Sequence, residues 1–297
     1  MKAVIYEKYG SPEVLQLKDI DKPTTKENEI LIKIHSTSVT AGDWRMRKAD
    51  PFLVRLFNGV FRPKKVKILG FELAGTIEEV GSEITKFKKG DNVFAFCGYK
   101  FGAYAEYKVL SINEEVELMP SNFTFEEAAV LPLGTLTALK FLRKAGIKEN
   151  QNILIYGASG SVGTYAIQLA KYFNTIVTAV CGPTNLDLVK SLGADKVLDY
   201  TTQDIYETQE KFDIIFDAVG KISKTNSKKL LNSKGKYVSV SGSAKNKKGD
   251  LKFIRDIIEK GKLVPVIDKK YNLNQIREAH SYVEKFHKKG NVVINIT

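Results

Sequence analysis

The sequence predicts an α/β protein: a β-rich domain interrupted by a doubly wound domain, with the chain returning to the first domain at its end. Three observations predict this. Residues 1–125 consist of short apolar or alternating runs broken by Gly, Pro and Asp, as strands joined by turns are. From residue 126 onward strand-like runs alternate with helical ones, the grammar of βαβ units and a parallel sheet. The last stretch, LNQIREAHSYVEKFHKKGNVVINIT, reads as a helix and then a strand of the first kind. The expected domains are therefore 1–125 with 266–297, and 126–265.

In order, AVIYEKY, EILIKIHST, ELAGTIEEVG and DNVFAF are the strands of the first region, and GSEITKFKKGD is a loop leading into the last of them. After NFTFEEAAVLPLGTLTALKFLRKAG come strand NILIYG, helix VGTYAIQLAKYF, strand TIVTAVC, helix NLDLVKSLG and strand KVLDY. FDIIFDAVG, SKKLLNSKG and KYVSVSG continue the series as strand, helix and strand. No internal repeat or low-complexity tract interrupts the chain.

Of 297 residues, 43% are hydrophobic and 27% charged, which fits a globular protein with a substantial core. No segment holds the roughly 20 continuous apolar residues of a membrane span, and the start lacks the apolar core of a secretory leader. The two cysteines, Cys97 and Cys181, exclude a disulfide framework. Together these set a reducing cytoplasm as the expected location. The formal net charge is +12, but the lysines are scattered and no nucleic-acid signature accompanies them, so nucleic acid is not the expected partner.

The densest signal lies between NILIYG and the helix after it. The run Ile153–Tyr156 is apolar, as a strand buried on both faces should be. Val162, Tyr165, Ala166, Leu169 and Phe173 fall on one helical face. Between them stand Gly157, Ala158, Ser159, Gly160, Ser161, Val162 and Gly163. Against the dinucleotide pattern G-x-G-x-x-G, Ala158 takes the first glycine site, while Gly160 and Gly163 take the second and third. The second glycine lets backbone approach a pyrophosphate, and the third lets the helix pack on the strand. The helix N-terminus then offers N–H groups to the phosphates. The strand–turn–helix context identifies this as a dinucleotide site rather than a packing turn.

An acid at the end of the second strand would accept the ribose 2′-OH of NAD. The sequence there is Val180-Cys181-Gly182-Pro183-Thr184-Asn185, without an acid. This favours NADP(H) over NAD(H), with Thr184, Asn185, and Lys190 or Tyr200 as candidates for the 2′-phosphate.

The ordered set SVTAGDWRMR, ILGFELAGTIEEVG, GDNVFAF, FGAYAEY, AAVLPLGTLTAL, YGASGSVG, LGADKVLDY, FDAVG and KKGNVVI resembles the medium-chain dehydrogenase/reductase family over the whole chain. The likeness is to its zinc-free quinone oxidoreductase and enone reductase branch. The resemblance implies a GroES-like catalytic domain, a Rossmann domain and a cleft between them for cofactor and substrate. Zinc-dependent members carry Cys where this chain has Thr40 and His where it has Phe71. Hydroxyl and phenyl groups do not replace thiolate and imidazole as zinc ligands, so no metal is expected. Glu72 alone does not make a site, and His35, His280 and His287 lack ligand spacing; the last two read as surface or packing residues of the final helix.

Without a Lewis acid the substrate must already be electrophilic. A small hydrophobic quinone or α,β-unsaturated carbonyl qualifies. Arg45 stands where related enone reductases carry Lys or Tyr and is the candidate to hold the carbonyl oxygen, with the Thr40 hydroxyl beside it; the competing role for Arg45 is an ion pair with Asp43 or Asp50. Asp43 reads as a loop anchor. The resemblance adds Thr137, Ala218, Val219, Gly220, Val240, Ser241, Gly242 and Asn291 to the cofactor contacts, with Cys97 and Gly98 on the same side as Asn291. Cys181 joins them by its place at a strand end, although packing is the commoner role for both cysteines.

PFLVRLFNGVF (51–61) reads as a lid favouring hydrophobic substrates, in preference to an amphipathic surface helix touching a membrane. Family members carry a further helix and a sixth strand after KYVSVSG, which this chain lacks; relatives pair that strand across a dimer axis, so the usual dimer is in doubt. The alternative function is a nucleotide-binding protein without turnover: a redox sensor, an RNA-binding protein or a structural protein of the same fold.

Overall fold

The computed structural model describes residues 1–296. In chain order the first strands and helices are β1 (Lys2–Tyr6), β2 (Leu15–Asp19), β3 (Glu29–Ser38), α1 (Ala41–Lys48), α2 (Leu53–Asn58), β4 (Glu72–Val80), β5 (Asn92–Phe96), β6 (Tyr107–Ser111), β7 (Glu115–Leu118) and α3 (Phe125–Ala129). Then follow α4 (Pro132–Ala145), β8 (Asn152–Tyr156), α5 (Ser161–Tyr172), β9 (Ile176–Cys181), α6 (Leu186–Ser191), β10 (Lys196–Asp199), β11 (Phe212–Asp217), α7 (Lys224–Ser227), β12 (Leu231–Ser239) and α8 (Asp250–Glu259). β13 (Ile267–Asn272), α9 (Ile276–Val283) and β14 (Asn291–Asn295) complete the chain.

Packing divides these into two units. The first comprises Met1–Leu133 and the segment from Ile267 onward; the second is Gly134–Val266. Within the first, β13, β14, β3, β4, β5 and β7 form one sheet in that order, and β6 also pairs with β3. The long β3 manages this by dividing its length: Glu29–Lys33 pair with β6, and Ser36–Ser38 with β14. The C-terminal strand therefore closes a sheet begun near the N-terminus. Alternation decides the faces: Ile30, Ile32 and Ile34 of β3 pack with Leu73, Val93 and Ala95 in one core, while Val292 and Ile294 of β14 join Tyr6, Trp44 and Leu69 in another. The boundary falls later than residue 125. Helix α3 packs on β3, β4 and β14, its Phe125 ring lies 4.2 Å from that of His35, and Glu126 accepts from Asn295 and pairs with Lys270.

The second unit is a parallel sheet in the order β10-β9-β8-β11-β12. This is the 3-2-1-4-5 part of the doubly wound order. β12 is the outer strand, and no sixth strand extends the sheet among the described residues. Two details depart from the sequence reading. SKKLLNSKG is not a helix: α7 stops at Ser227 and β12 begins at Leu231, with a register irregularity opposite Phe212 and Ile214. Nor is α5 amphipathic in use. It is buried continuously from Gly163 to Ala170, while Val162 and Phe173 are only half-buried. Tyr172 meets Phe253 of α8, and Gln168 exchanges hydrogen bonds with Val264, so the side away from the sheet is covered too.

Candidate active site

In the second unit the carboxyl ends of the five parallel strands share one edge, since Tyr156 lies opposite Val180 and Asp217, Cys181 opposite Asp199, and Asp217 opposite Ser239. The turn after β8 carries the predicted glycines. Ala158 is fully buried, and the amides of Gly157 and Ala158 both donate to Val180 O, at 3.1 and 3.0 Å. Gly163 has to be glycine. A Cβ there would overlap Gly157 O and come within 2.7 Å of Ala158 Cα, preventing α5 from seating on the strand. Gly160 is different. It caps α5 with ordinary extended backbone, and a Cβ would meet only Gly157 O at 3.5 Å. The fold does not require that glycine, so its bareness leaves room for an outside group. Gly160 also brings no capping side chain to the first-turn N–H groups, which suits an anion there. A second feature fits the same group: Asn185 Nδ2 donates to Ser159 Oγ at 3.2 Å, while its buried Oδ1 has no partner.

Around this turn the structure gathers most of the predicted set. Val219, 45% exposed, stands over Gly157, where a Cβ would approach it to 2.6 Å. The loop holding Ala218, Val219 and Gly220 is fixed by a residue the sequence reading passed over. Asp217, fully buried, accepts from the amides of Val219, Gly220 and Ile222 at 3.1, 2.8 and 2.7 Å. Its position as the last residue of an apolar strand in FDAVG was the available signal. Val240 donates to Asp217 O, Ser241 lies against Gly220, and Gly242 donates to Ser239 O. Tyr200 is about half exposed, with its hydroxyl next to Gly182; Thr184 and Lys190 are exposed. Cys181 is buried, and burial pushes its thiol up to about 11. Thr137 is half-buried on α4. A second residue passed over is Gly134, whose lack of a side chain lets α4 approach the Tyr165 ring of α5.

In the first unit the predicted residues lie on α1 and its surroundings. Thr40 is the N-cap of a capping box: its hydroxyl and amide donate to Asp43 Oδ2 at 2.6 and 2.9 Å. The hydroxyl proton is thereby committed to the helix start. Asp43 also accepts from the Gly70 amide at 2.8 Å. Burial pushes this carboxyl up to about 6 against the pull of those donors. Arg45 is exposed, its guanidinium 5.4 Å from the Trp44 ring centroid. It pairs with neither Asp43 nor Asp50 among the described residues. Phe71 packs on Phe101 at 4.1 Å and against Gly42. Cys97 is buried behind it, its amide donating to Phe71 O and its thiol pushed up to about 12 by burial. Gly98 opens the next turn.

Glu72 is the first unit's most perturbed carboxylate near these residues. Burial raises it to about 7 even though it accepts from Ser38 Oγ and, at 2.7 Å, from the Leu133 amide. Lys288, which donates to Gly290 O, is lowered to about 8 by burial. Asn291 is buried at the start of β14. His280, read from the sequence as a surface or packing residue, is wholly core, beside Tyr104; His287 is exposed beyond α9. Among the described residues no three His, Cys, Asp or Glu side chains are grouped to hold a metal ion. The donors at Thr40 and Phe71 do not fit zinc: one hydroxyl is engaged in capping and the other group is a phenyl ring.

Comparison with known proteins gives a consistent answer. Residues 26–121 match the alcohol dehydrogenase GroES-like domain, and residues 161–267 match the family described as zinc-binding dehydrogenase. The chain is 35% identical to a 2-methylene-furan-3-one reductase of Solanum lycopersicum, over 99% of this chain and 79% of that one. It is 34% identical to a chloroplastic NADPH-dependent alkenal/one oxidoreductase of Arabidopsis thaliana, with the same coverage. Its fold superposes on the quinone oxidoreductase of Coxiella burnetii with a TM-score of 0.90 at 26% identity, covering 100% of this chain and 99% of that one. The chain therefore belongs to the medium-chain dehydrogenase/reductase family, in the branch whose members are named quinone oxidoreductases and enone or alkenal reductases.

Proposed function

We propose that this protein is an NADP(H)-dependent oxidoreductase that reduces small hydrophobic quinones or α,β-unsaturated carbonyls without a catalytic metal. The observation that carries the reading is Gly160: a glycine the fold does not need, at the start of α5, within a turn of otherwise constrained backbone. When bound, the reduced nicotinamide supplies a hydride. The chain's own residues hold and orient. The first-turn amides of α5 receive the pyrophosphate, and Val219 and the Asp217-anchored loop wall one side of the turn. Preference for NADP(H) is supported by the absence of a carboxylate from Cys181 to Asn185, where Thr184, Asn185 and Tyr200 remain to meet a 2′-phosphate, and by the relative named as NADPH-dependent. Arg45 holds the acceptor oxygen as negative charge develops, and solvent supplies the proton. Thr40 keeps its place beside Arg45 as the cap that orients α1. Both cysteines are free and buried, which suits a reducing compartment such as the cytoplasm.

The test follows NADPH and NADH oxidation spectrophotometrically with a panel of quinones and enones, with and without a chelator. NADPH should be favoured, and chelation should change nothing. Arg45→Met should lower kcat/KM for an enone by roughly 10- to 100-fold, with NADPH affinity unchanged. Activity lost to the chelator, or tight NADPH binding with no acceptor reduced, would overturn the reading.

A further inference from the structure

Among the described residues, six of the fifteen exposed large apolar side chains lie within ten residues: Phe52, Leu53, Leu56, Phe57, Val60 and Phe61, the last 92% exposed. Tyr99, 82% exposed, extends the patch, with its ring 6.5 Å from that of Phe57. The same stretch is one-signed. Between Asp50 and Glu72 there is no acid, but there are Arg55, Arg62, Lys64, Lys65 and Lys67. Glu7, which lies within electrostatic reach of Arg62 and Lys67, is itself paired with Lys18.

The patch is a pinned platform. Asn58, fully buried, donates to Tyr6 Oη and Val66 O, and its side-chain oxygen accepts from the amides of Lys65 and Val66. Tyr9 donates to Gly59 O at 2.8 Å, and Arg55 donates to Val60 O at 3.0 Å while lying 4.9 Å from the Tyr9 ring. A lid needs a hinge, and here the middle of the segment is bonded to the body of its own unit. The exposed rings of Phe52, Phe57, Phe61 and Tyr99 are interleaved with aliphatic Leu53, Leu56 and Val60, which bases do not stack on but acyl chains cover. Hydrocarbon beneath and anionic groups around the rim is what an acidic bilayer supplies.

We propose that the face formed by Phe52–Phe61 and Tyr99, ringed by Arg62, Lys64 and Lys65, docks the protein on an anionic lipid surface. The inference is independent of the substrate assigned above. The test is sedimentation of the full chain with vesicles of phosphatidylcholine alone or mixed with phosphatidylglycerol, at low and high salt. The protein should sediment with the mixed vesicles, and less so as salt rises. A Leu53→Ser/Phe61→Ser variant should bind them at least about tenfold more weakly. Lys64→Gln/Lys65→Gln should weaken binding and flatten its salt dependence. Unchanged melting temperatures and NADPH affinity control for folding. The proposal fails if the unmodified chain shows no preference for the mixed vesicles, or if the serine variant retains its affinity. It also fails if that variant merely raises KM for a water-soluble quinone in a chain that ignores vesicles, which would make the patch a lid. Loss of a dimer in place of vesicle binding would make it a self-association surface and equally refute the proposal.

Discussion

Two glycines three residues apart do different work, and their substitution separates folding from binding. At Gly160 a methyl group has room, so Gly160→Ala should cost no more than about 1 kcal/mol, the N-cap preference for glycine over alanine, while weakening NADPH at least about tenfold, since in the proposed function the pyrophosphate approaches there. Gly163→Ala meets backbone on contact and should lower stability by roughly 1–3 kcal/mol. Thermal melts and nucleotide titration of both variants check this; equal effects on melting would refute it. Glu72 makes a second residue-scale prediction. Its folded carboxyl is held at about 7 against 4.5, so the folded state binds that proton more tightly than the unfolded one. The stability this contributes is fully present below pH 4.5 and is lost as pH rises through about 7. The shift corresponds to about 3 kcal/mol at most. Glu72→Gln should therefore flatten the decline in melting temperature between pH 5 and 8, leaving the smaller slope due to Asp43.

Among the elements, α1 depends most on a single side chain. Asp43 accepts from Thr40 N, Thr40 Oγ1 and Gly70 N, so Asp43→Ala strands a buried amide at Gly70 and a half-buried amide and hydroxyl at Thr40. A loss of roughly 3 kcal/mol or more is expected, against about 1 kcal/mol for Thr40→Ala, which removes only the cap. Denaturant titration distinguishes the two; similar losses would show that the carboxylate does not organise the loop. This box was written in the sequence as T-A-G-D, yet Thr40 drew attention as a vacated ligand position. Only the fold shows its proton engaged. α7 and β12 teach the reverse lesson. LLNSKG carries no strong period of its own, and pairing with β11 makes it strand where local pattern suggested helix.

At the scale of the molecule, the parallel sheet ends at β12, with no strand beyond it among the described residues. Lysines 245, 247 and 248 follow that strand and discourage edge-to-edge pairing. Sedimentation equilibrium should accordingly find the mass of one chain at micromolar concentration; a stable dimer would mean that another surface has taken over the role. The charge of +12 gains a location as well: part of it rings the Phe52–Phe61 face.

The alternation of strands and helices in the second unit, the glycine turn after β8 and the return of the C-terminus to the first unit were legible in the sequence because each is a local signal. Buried parallel strands are apolar throughout, a phosphate turn must shed side chains within a few residues, and a final helix–strand pair has the periods of its kind. Tertiary structure alone decided what depends on neighbours distant in the chain. It placed α3 with the first unit, buried α5 on nearly every side, set Asp217 under three amides and engaged the Thr40 hydroxyl. It also raised Glu72 to about 7 among partners at Ser38 and Leu133. Desolvation and hydrogen-bond geometry are properties of surroundings, and no spacing along the chain encodes them.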